Sequence, residues 1–381
     1  MCMAACILLL AGLAAREALA QVRGSAVGFA AGTTGGGSAK PQYPSTLAEL
    51  ESWLSDSTPR VIMISQTWDF TNHQGMTTEK CCQNSCQPNG QFWIMDTCDA
   101  AWVSCTYANA ARNPIQVGSN KSVVGVGSSG YIKGRGLRVI NNASNVIIQN
   151  IHFTGLNSQY VWGGDAITLD GADKVWIDHC KFSLIGRQMI VSGWGAAGHV
   201  TISNNEFDGT TPYSASCNGQ HYWVLLLLGL KDYYTFVGNY VHNVSGRAPH
   251  MGTDYTKSEI IFHGVNNYFK NVGGHAFDID VNTYVLLEGN YFDNADTPIT
   301  SASLTKSSLY SVVTVDDASG CTSNLGYICE WNRLSNSGSF PSSRSSEALS
   351  KLSAHKSSLV GHYGVADVPK SVVANAGIGK I

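Results

Sequence analysis

The stretch SNVIIQNIHF, residues 144–153, is the first of six similar segments that decide the fold of this chain. Its apolar positions alternate, a polar bend follows at Asn150, and a short second strand closes on Phe153. The five later segments are residues 173–182, 198–207, 233–241, 258–269 and 283–292. Their last residues follow one another at intervals of 29, 25, 34, 28 and 23 positions.

A unit of this size cannot bury its own apolar face, but stacked units bury a continuous column. The repeat therefore predicts an all-β fold, a right-handed parallel β-helix. A propeller, with blades of about 40–45 residues, needs a longer repeat. Four bend asparagines are expected to stack as a ladder of side-chain amides, namely Asn150, Asn204, Asn239 and Asn266.

The segments outside the repeat are expected to serve the solenoid, and residues 21–381 to form one domain. Residues 20–115 lack the repeat and should cap the N-terminal end. The longest interval, between 207 and 241, contains DGTTPYSASCNGQHYWVLLLLGL and predicts a working loop. The serine-rich tail, 303–381, should form a C-terminal cap with a short helix at SSEALSKLSAH.

Composition limits the partners. Asp, Glu, Lys and Arg make up 13% of the 381 residues, about half of the ~25% usual in soluble domains. A net charge of −3 supplies no field for nucleic acid or an anionic membrane, and a neutral partner fits better.

Residues 1–20 read as a signal peptide that ends in Ala18-Leu19-Ala20, which predicts a secreted protein beginning near Gln21. We expect the mature protein to be a monomer. No later apolar run reaches the ~18 residues of a membrane span. Three sequons permit glycosylation, beginning at Asn120, Asn142 and Asn243.

Nine cysteines remain after residue 20, and in an exported protein they predict disulfides. Five of them cluster in 81–105: Cys81, Cys82, Cys86, Cys98 and Cys105. Zinc is the weaker alternative, because the cluster lacks a C-x-x-C pair. Cys321 is expected to pair with Cys329, Cys217 to reach back to the cluster, and Cys180 to stay free and buried.

Several motifs together resemble the pectin lyases, a branch of the family 1 polysaccharide lyases within the pectate lyase superfamily. They are GDAITLDGADKVWIDH (164–179), IGRQ (185–188), HYW (221–223), SGRAPH (245–250), VNNYF (265–269) and GHAFDI (274–279). The resemblance covers about residues 115–295. It implies β-elimination in methyl-esterified α-1,4-linked galacturonan: a base removes the C5 proton, the C4–O bond breaks, and a 4,5-unsaturated end is left.

The resemblance assigns Arg247 as that base, which requires a depressed pKa because arginine normally stays protonated. It places Arg187 in the same cleft, where a second cation disfavours the charged form of Arg247 and stabilises negative charge on the substrate. Asp165 is expected to orient an arginine or to bond a sugar hydroxyl. Asp170 and Asp178 stay outside the catalytic set, Asp178 as a structural hydrogen-bond partner within its strand.

Relatives that act on free carboxylates use calcium, bound through an Asp-Gly-x-x-Asp pattern where this chain reads Gly186-Arg187-Gln188-Met189-Ile190. The missing acids favour a metal-independent, endo-acting enzyme without a cofactor, since calcium takes six to eight oxygen ligands. The resemblance also assigns Trp162, Tyr222 and Trp223 to substrate binding. Three further tryptophans are open between cleft and core: Trp93, Trp102 and Trp194.

His250, three residues after the proposed base, stands where relatives often carry Lys or Arg. We assign it to substrate binding and expect it to bring a dependence on mildly acidic pH. Two alternatives stay open: a calcium-dependent pectate lyase and a non-catalytic β-helix that binds wall polysaccharide. A polygalacturonase-type hydrolase with paired acids is disfavoured, because the Asn-Thr-Asp and Gly-His-Gly motifs are absent.

Overall fold

A computed structural model describes residues 21–83, 86, 89–95, 101–254 and 257–381. The signal-peptide prediction for residues 1–20 and the prediction for Cys98 fall outside these ranges. The described chain winds into successive parallel coils, and strands of neighbouring coils pair along three faces. The predicted parallel β-helix is confirmed.

The first face contains Arg60–Ile64, Lys121–Gly125, the ends of Leu137–Gln149 and Ile167–Asp178, Gly198–Ser203, Asp232–Val237, Ile260–Val265, Thr283–Glu288 and Ser308–Ser311. The second face contains Thr67–Asp69, Tyr131–Lys133, His152–Leu156, Lys181–Ile185, Glu206–Asp208, Tyr240–Val244, the start of Tyr268–Ile279, Tyr291–Ile299 and Arg333–Ser335. The third face contains Ile115–Val117, the starts of Leu137–Gln149 and Ile167–Asp178, Ile190–Ser192, Leu225–Leu227, His250–Met251 and the end of Tyr268–Ile279. Pro41–Gln42 and Ser343–Arg344 extend the first face at its two ends.

The closing residues of the six repeats lie directly opposite one another on the second face. Phe153 pairs with Phe182, Phe182 with Phe207, and the register continues through the three later repeats. The rings of Phe153 and Phe182 stack at 5.4 Å, and those of Phe182 and Phe207 at 5.1 Å. Intervals of unequal length therefore leave the strand register unchanged, and the loops take up the difference.

The predicted amide ladder exists, but its composition differs from the prediction. The ladder runs through Asn205, Asn239, Asn267, Asn290 and Asn332, with side-chain amide bonds of 2.9–3.1 Å between successive members. Asn239 was predicted correctly, whereas Asn150, Asn204 and Asn266 lie one position earlier in the repeat.

Those three asparagines occupy the bend itself, with φ of 60°, 51° and 50°. Asparagine tolerates this left-handed conformation better than most residues, which explains its presence there. The residue after the bend points inward, so its amide meets the amide of the next coil.

A second asparagine ladder, not predicted, follows the outer bend of the second face. Asn243, Asn271, Asn294 and Asn336 all have positive φ, and their amides bond in sequence at 3.0–3.3 Å. Asn243 is also a predicted glycosylation sequon. Its Nδ2 already donates to Thr210 Oγ1 at 3.0 Å, so a glycan on Asn243 Nδ2 competes with this bond, whereas the ladder uses Asn243 Oδ1.

Residues 20–115 and 303–381, predicted as caps, also contribute strands to the coils. Two strands of an additional N-terminal coil, Arg60–Ile64 and Thr67–Asp69, precede residue 115, and the tail supplies Ser308–Ser311 and Arg333–Ser335. These strands were missed because they lack the Asn-aromatic ending of the central repeats.

One helix packs on the inner core at the N-terminal end of the described solenoid, whereas the tail helices pack on the outside of the coils. Helix Leu47–Ser55 begins at Thr46, whose side chain accepts the Glu49 N–H, and it buries Leu50 and Leu54. The predicted tail helix is confirmed as Ser346–Ser353. The other α-helices are Asn109–Arg112, Ser303–Lys306, Val315–Leu325 and Val368–Asn375, with 3₁₀ turns at Gly28–Ala30, Lys356–Ser358 and Val365–Asp367. No helix in the described part of the chain has the length and apolar character to cross a membrane.

The cysteine cluster belongs to a small separate sheet built from Met76–Cys82, Phe92–Trp93, Trp102–Ala108 and Tyr160–Val161. Three disulfides are described: Cys81–Cys105, Cys86–Cys217 and Cys321–Cys329. Disulfides are therefore confirmed over zinc for these residues, as are the two pairing predictions. Cys180 is free and buried, also as predicted.

Asp178 is confirmed as a structural hydrogen-bond partner. Its carboxylate accepts hydrogen bonds from Ser203 Oγ at 2.6 Å and from Gln149 Nε2 at 2.8 Å on neighbouring coils.

Candidate active site

The predicted site residues lie where successive coils enter the third face. Asp165 precedes strand Ile167–Asp178, Arg187 precedes Ile190–Ser192, Trp223 precedes Leu225–Leu227, and Arg247 precedes His250–Met251. Because these strands pair in register, the four segments stack along the solenoid axis. Residues far apart in sequence thus line one groove.

Arg247 is held by its backbone on both sides. Its N–H donates to His275 Nε2 at 3.3 Å, and its carbonyl accepts from Leu225 N at 2.6 Å. Its φ is +46°, a left-handed conformation in which non-glycine residues are uncommon. The glycine before it, Gly246, is required by packing, because a Cβ there would meet the Tyr222 ring at 2.4 Å.

The Arg247 guanidinium lies on aromatic rings. Its Cζ is 4.7 Å from the Trp223 ring centroid and 5.9 Å from that of Tyr222. Its Nη1 is buried without a hydrogen-bond partner in the described structure, and no carboxylate of the described residues forms an ion pair with it. Burial lowers the pKa of Arg247; Tyr222 opposes this shift and the charge of Arg187 adds to it.

Arg187 forms a second charged group with Trp162 and Asp165. Its Cζ lies 3.8 Å from the Trp162 ring centroid, and its Nη1 lies 3.6 Å from Asp165 Oδ2. Burial lowers the pKa of Arg187, and the Asp165 charge opposes that shift. Asp165 accepts the Gln188 backbone N–H at 2.8 Å. Burial raises the pKa of Asp165, while Arg187, the Gln188 N–H and Arg247 oppose this shift.

The three assigned aromatics differ in exposure. Trp162 is 37% exposed and offers a free ring edge beside Arg187. Trp223 is only 9% exposed and donates its Nε1–H to Gln91 Oε1 at 2.9 Å. Trp223 therefore forms the floor under Arg247, and the half-buried Tyr222 stands beside it at 4.8 Å between ring centroids.

The aromatics of uncertain placement are spread over several sites. The Trp93 ring packs edge-on against Trp223 at 6.1 Å, whereas Trp102 and Trp194 are 50% and 63% exposed.

His221 ties two groove segments together and was not predicted. It is buried, and its Nε2–H is shared between the carbonyls of Arg187, at 2.8 Å, and Trp223, at 2.9 Å. Burial lowers the pKa of His221 to about 4, so it is neutral under ordinary conditions. The HYW motif contained this residue, but sequence alone gave it no partner.

Two residues of the next coil, His275 and Asp278, form a histidine–aspartate group with His250 beside Arg247. Asp278 Oδ2 lies 2.6 Å from His250 Nδ1 and 4.0 Å from His275 Nε2, and Asp278 Oδ1 accepts from Thr300 at 3.0 Å. The hydrogen bond with His250 lowers the pKa of Asp278 to about 2. His275 and Asp278 were missed, although both lie in the GHAFDI motif.

The groove continues past Arg187 into a cavity of about 340 Å³. It is lined by Met95, Ala111, Arg112, Pro114, Arg138, Trp162, Gly164, Asp165, Thr168 and Arg187. Arg112 and Arg138 were not predicted as site residues. Three arginines and one aspartate give this end of the groove a net positive charge.

The donors at the groove do not fit the calcium on which pectate lyases depend. Asp165 pairs with Arg187, and Asp278 is engaged by His250 and Thr300, so no cluster of free oxygens remains among the described groove residues.

Within the described ranges, a compact set of possible metal ligands lies on the second face instead, at Glu206, Asp208 and His242. Lys181 already contacts both acids there, at 2.8 and 3.2 Å.

The profile of a family described as pectate lyase matches residues 2–381. A protein of Neosartorya fischeri named "Probable pectin lyase F" is 64% identical over 378 residues, covering 97% of this chain and 98% of its own length. "Probable pectin lyase E" of Aspergillus fumigatus is 65% identical over 376 residues, covering 96% and 97%.

Solved structures share the fold at low sequence identity. A pectate lyase variant from Xanthomonas campestris superimposes with a TM-score of 0.57 at 22% identity, over 93% of this chain and 99% of its own. A structure titled "Pectate lyase bound to hexasaccharide" gives a TM-score of 0.61 at 19% identity, over 95% and 99%.

Proposed function

The chain belongs to the pectate lyase family, and on that premise we propose that it is a pectin lyase, an enzyme that cleaves methyl-esterified galacturonan by β-elimination. The single observation that carries the proposal beyond the family is the Arg247–Arg187 groove. Two desolvated guanidinium groups stand there with one paired carboxylate, Asp165. The relatives at 64–65% identity, both named probable pectin lyases, support the same activity.

In this mechanism Arg247, in its neutral form, takes the C5 proton of a methyl-esterified galacturonate. The electron pair of the C5–H bond forms the C4–C5 double bond, the C4–O4 bond breaks, and the leaving O4 takes a proton from water. Arg187 stabilises the negative charge that builds on the ester carbonyl oxygen as the proton departs. Asp165 holds Arg187 in place through their 3.6 Å contact.

Several features of the fold reduce the cost of a neutral arginine. Half-burial disfavours the guanidinium cation, and so does the charge of Arg187. The contacts with the Trp223 ring and with Tyr222 favour the cation and oppose these two effects. Nη1 has no hydrogen-bond partner in the described structure, so it adds nothing to that opposition. These are the conditions under which a side chain with a very high ordinary pKa can serve as a base.

His275 positions the base in this proposal. Its Nε2 accepts the Arg247 N–H and must therefore be unprotonated. Burial lowers the pKa of His275, which favours that state, although Asp278 opposes the shift. His250 lies at the same end of the groove and is a candidate to contact the substrate.

The ester form of the substrate suits this site. A methyl ester is uncharged and its carbonyl accepts electron density without a metal, whereas free carboxylates along the scissile region would require neutralisation. We therefore propose metal-independent, endo-type cleavage, with the substrate lying along the groove across successive coils.

We place the enzyme outside the cell, as a monomer acting on pectin. The three described disulfides support an oxidising environment.

The test uses highly esterified pectin with a chelator present, and it measures the ultraviolet absorbance of unsaturated products. Arg247→Ala should reduce turnover by roughly 10²–10⁴-fold, the range for losing a general base. Arg333→Ala is the matched control, since Arg333 is an exposed arginine on the second face. Activity of Arg247→Ala within a few-fold of the control, or activity that requires calcium, would refute the proposal.

A further inference from the structure

The groove has a positively charged end that an uncharged polymer does not require. Arg138 lies on the third face between the buried residues Leu137 and Val139, so its side chain points outward into the groove. It is exposed, and no ion pair or hydrogen bond to its side chain occurs within the described ranges. A free guanidinium thus faces the path of the polymer.

Arg112 lies on the same cavity and is fixed in place. Its Cζ is 5.3 Å from the Tyr107 ring centroid, its Nη1 donates to the Tyr107 hydroxyl at 2.8 Å, and its Nη2 contacts Met95 Sδ. Tyr107 in turn donates to Glu79 at 3.1 Å. Neutral groups therefore hold the Arg112 guanidinium in position. The acid Glu79 contacts Tyr107 and not Arg112 itself.

The position along the axis separates this end from the reacting centre. Arg138 pairs with Thr168, and the same row continues through Val191 and Leu226 to His250. Four steps of about 4.8 Å place Arg138 roughly 19 Å from His250 along the coil axis. A sugar at Arg138 is therefore several residues away from the one at Arg247.

Beyond Arg112 the surface becomes rich in amides. A second cavity of about 270 Å³ is lined by Gln74, Thr77, Asn109, Arg112 and Asn113. Amide and hydroxyl groups of this kind suit sugar hydroxyls, so the binding surface extends past the arginines.

We propose that Arg112 and Arg138 form a subsite for the free carboxylate of a non-esterified galacturonate. The inference rests on the proposed function. It allows a partly esterified polymer to bind productively, with methyl esters at Arg247 and an unesterified sugar toward Arg138. Guanidinium groups bind carboxylates through charge-assisted, often bidentate hydrogen bonds, which a methyl ester cannot match.

The experiment compares kcat/KM on two galacturonans of equal length, one fully and one partly methyl-esterified, at low ionic strength. Relative to the wild-type enzyme, Arg138→Gln should lose roughly five- to tenfold on the partly esterified polymer and clearly less on the fully esterified one. Arg138→Lys should recover part of that loss, and added salt should reduce the difference between the wild-type enzyme and Arg138→Gln.

Arg112→Gln, checked for folding by thermal denaturation, should also lose more activity on the partly esterified polymer than on the fully esterified one. Arg333→Gln, on the second face, is the matched control and should leave both rates unchanged. Equal losses on both polymers, or an Arg138→Gln enzyme indistinguishable from the control, would overturn the inference. Absence of unsaturated product from both polymers would refute the proposed function instead, so the two failures are distinguishable.

Discussion

Replacing Arg187 with methionine tests whether its charge tunes the proposed base. The strands after Arg187 and Arg247 are two coils apart, which corresponds to about 10 Å at ~4.8 Å per coil. Two unit charges at that distance interact by about 1.7 kcal/mol for an effective dielectric constant of ~20. This energy corresponds to about one unit in the pKa of Arg247.

The sign of the effect follows from the mechanism. A base works when deprotonated, so kcat/KM should rise with pH and level off above the pKa of Arg247. Arg187 lowers that pKa. Arg187→Met should therefore move the midpoint of the rise to higher pH by about one unit, and Arg187→Lys, which keeps the charge, should move it little.

Asp165→Asn supplies an opposite control. Asparagine can still accept the Gln188 N–H, but it removes an anion that favours charged Arg247. Its midpoint should move to lower pH.

The assay is the pH dependence of kcat/KM on esterified pectin, corrected for non-enzymatic elimination. An Arg187→Met midpoint that stays at the wild-type pH, with only a lower rate, would refute electrostatic tuning of Arg247.

Three further predictions concern stability and reactivity. Asn239→Leu removes four buried side-chain hydrogen bonds to Asn205, Ile202 and Asn267, so urea unfolding should show a loss of about 3–5 kcal/mol, against under ~1 kcal/mol for the exposed Asn294→Ala. Asp278→Asn should lower the free energy of unfolding by about 2 kcal/mol near pH 6, because the depressed pKa of Asp278 stabilises the fold above pH ~4. Urea unfolding midpoints of the variant and the wild type should converge as the pH falls toward 2. Burial raises the pKa of Cys180 to about 12, so a thiol reagent should label it only after denaturation, and rapid labelling of native protein would contradict the described burial.

The parallel β-helix could be predicted from the sequence because the repeated segments determine which residues of neighbouring strands pair. Each closing residue from Phe153 to Phe292 pairs as the intervals predicted. The ladder assignment failed because adjacent asparagines, as in Asn204-Asn205 and Asn266-Asn267, cannot be ordered by periodicity alone. One member has positive φ and the other points inward, and only the backbone distinguishes them.

The sequence predicted the site residues that belong to a recognisable motif. It did not predict the residues whose role depends on contacts between coils. Arg247, Arg187 and Asp165 were assigned by resemblance, and the fold brings them to one groove. His221, His275 and Arg138 depend on coil-to-coil register, and this register follows from loop lengths that sequence patterns do not fix. His275 contacts Arg247 across 28 residues of chain, so its role could not be derived from local spacing.

The Cys86–Cys217 disulfide links the loop before Tyr222, which forms part of the groove wall, to a segment 131 residues earlier in the chain. Of the other two described disulfides, Cys81–Cys105 lies within the small separate sheet and Cys321–Cys329 within the tail, so none of the three joins strands of the coil faces. Recombinant production in a reducing cytoplasm should therefore yield a properly coiled protein whose groove wall is untethered. Activity per folded molecule, and not solubility, is the property by which a production host should be chosen.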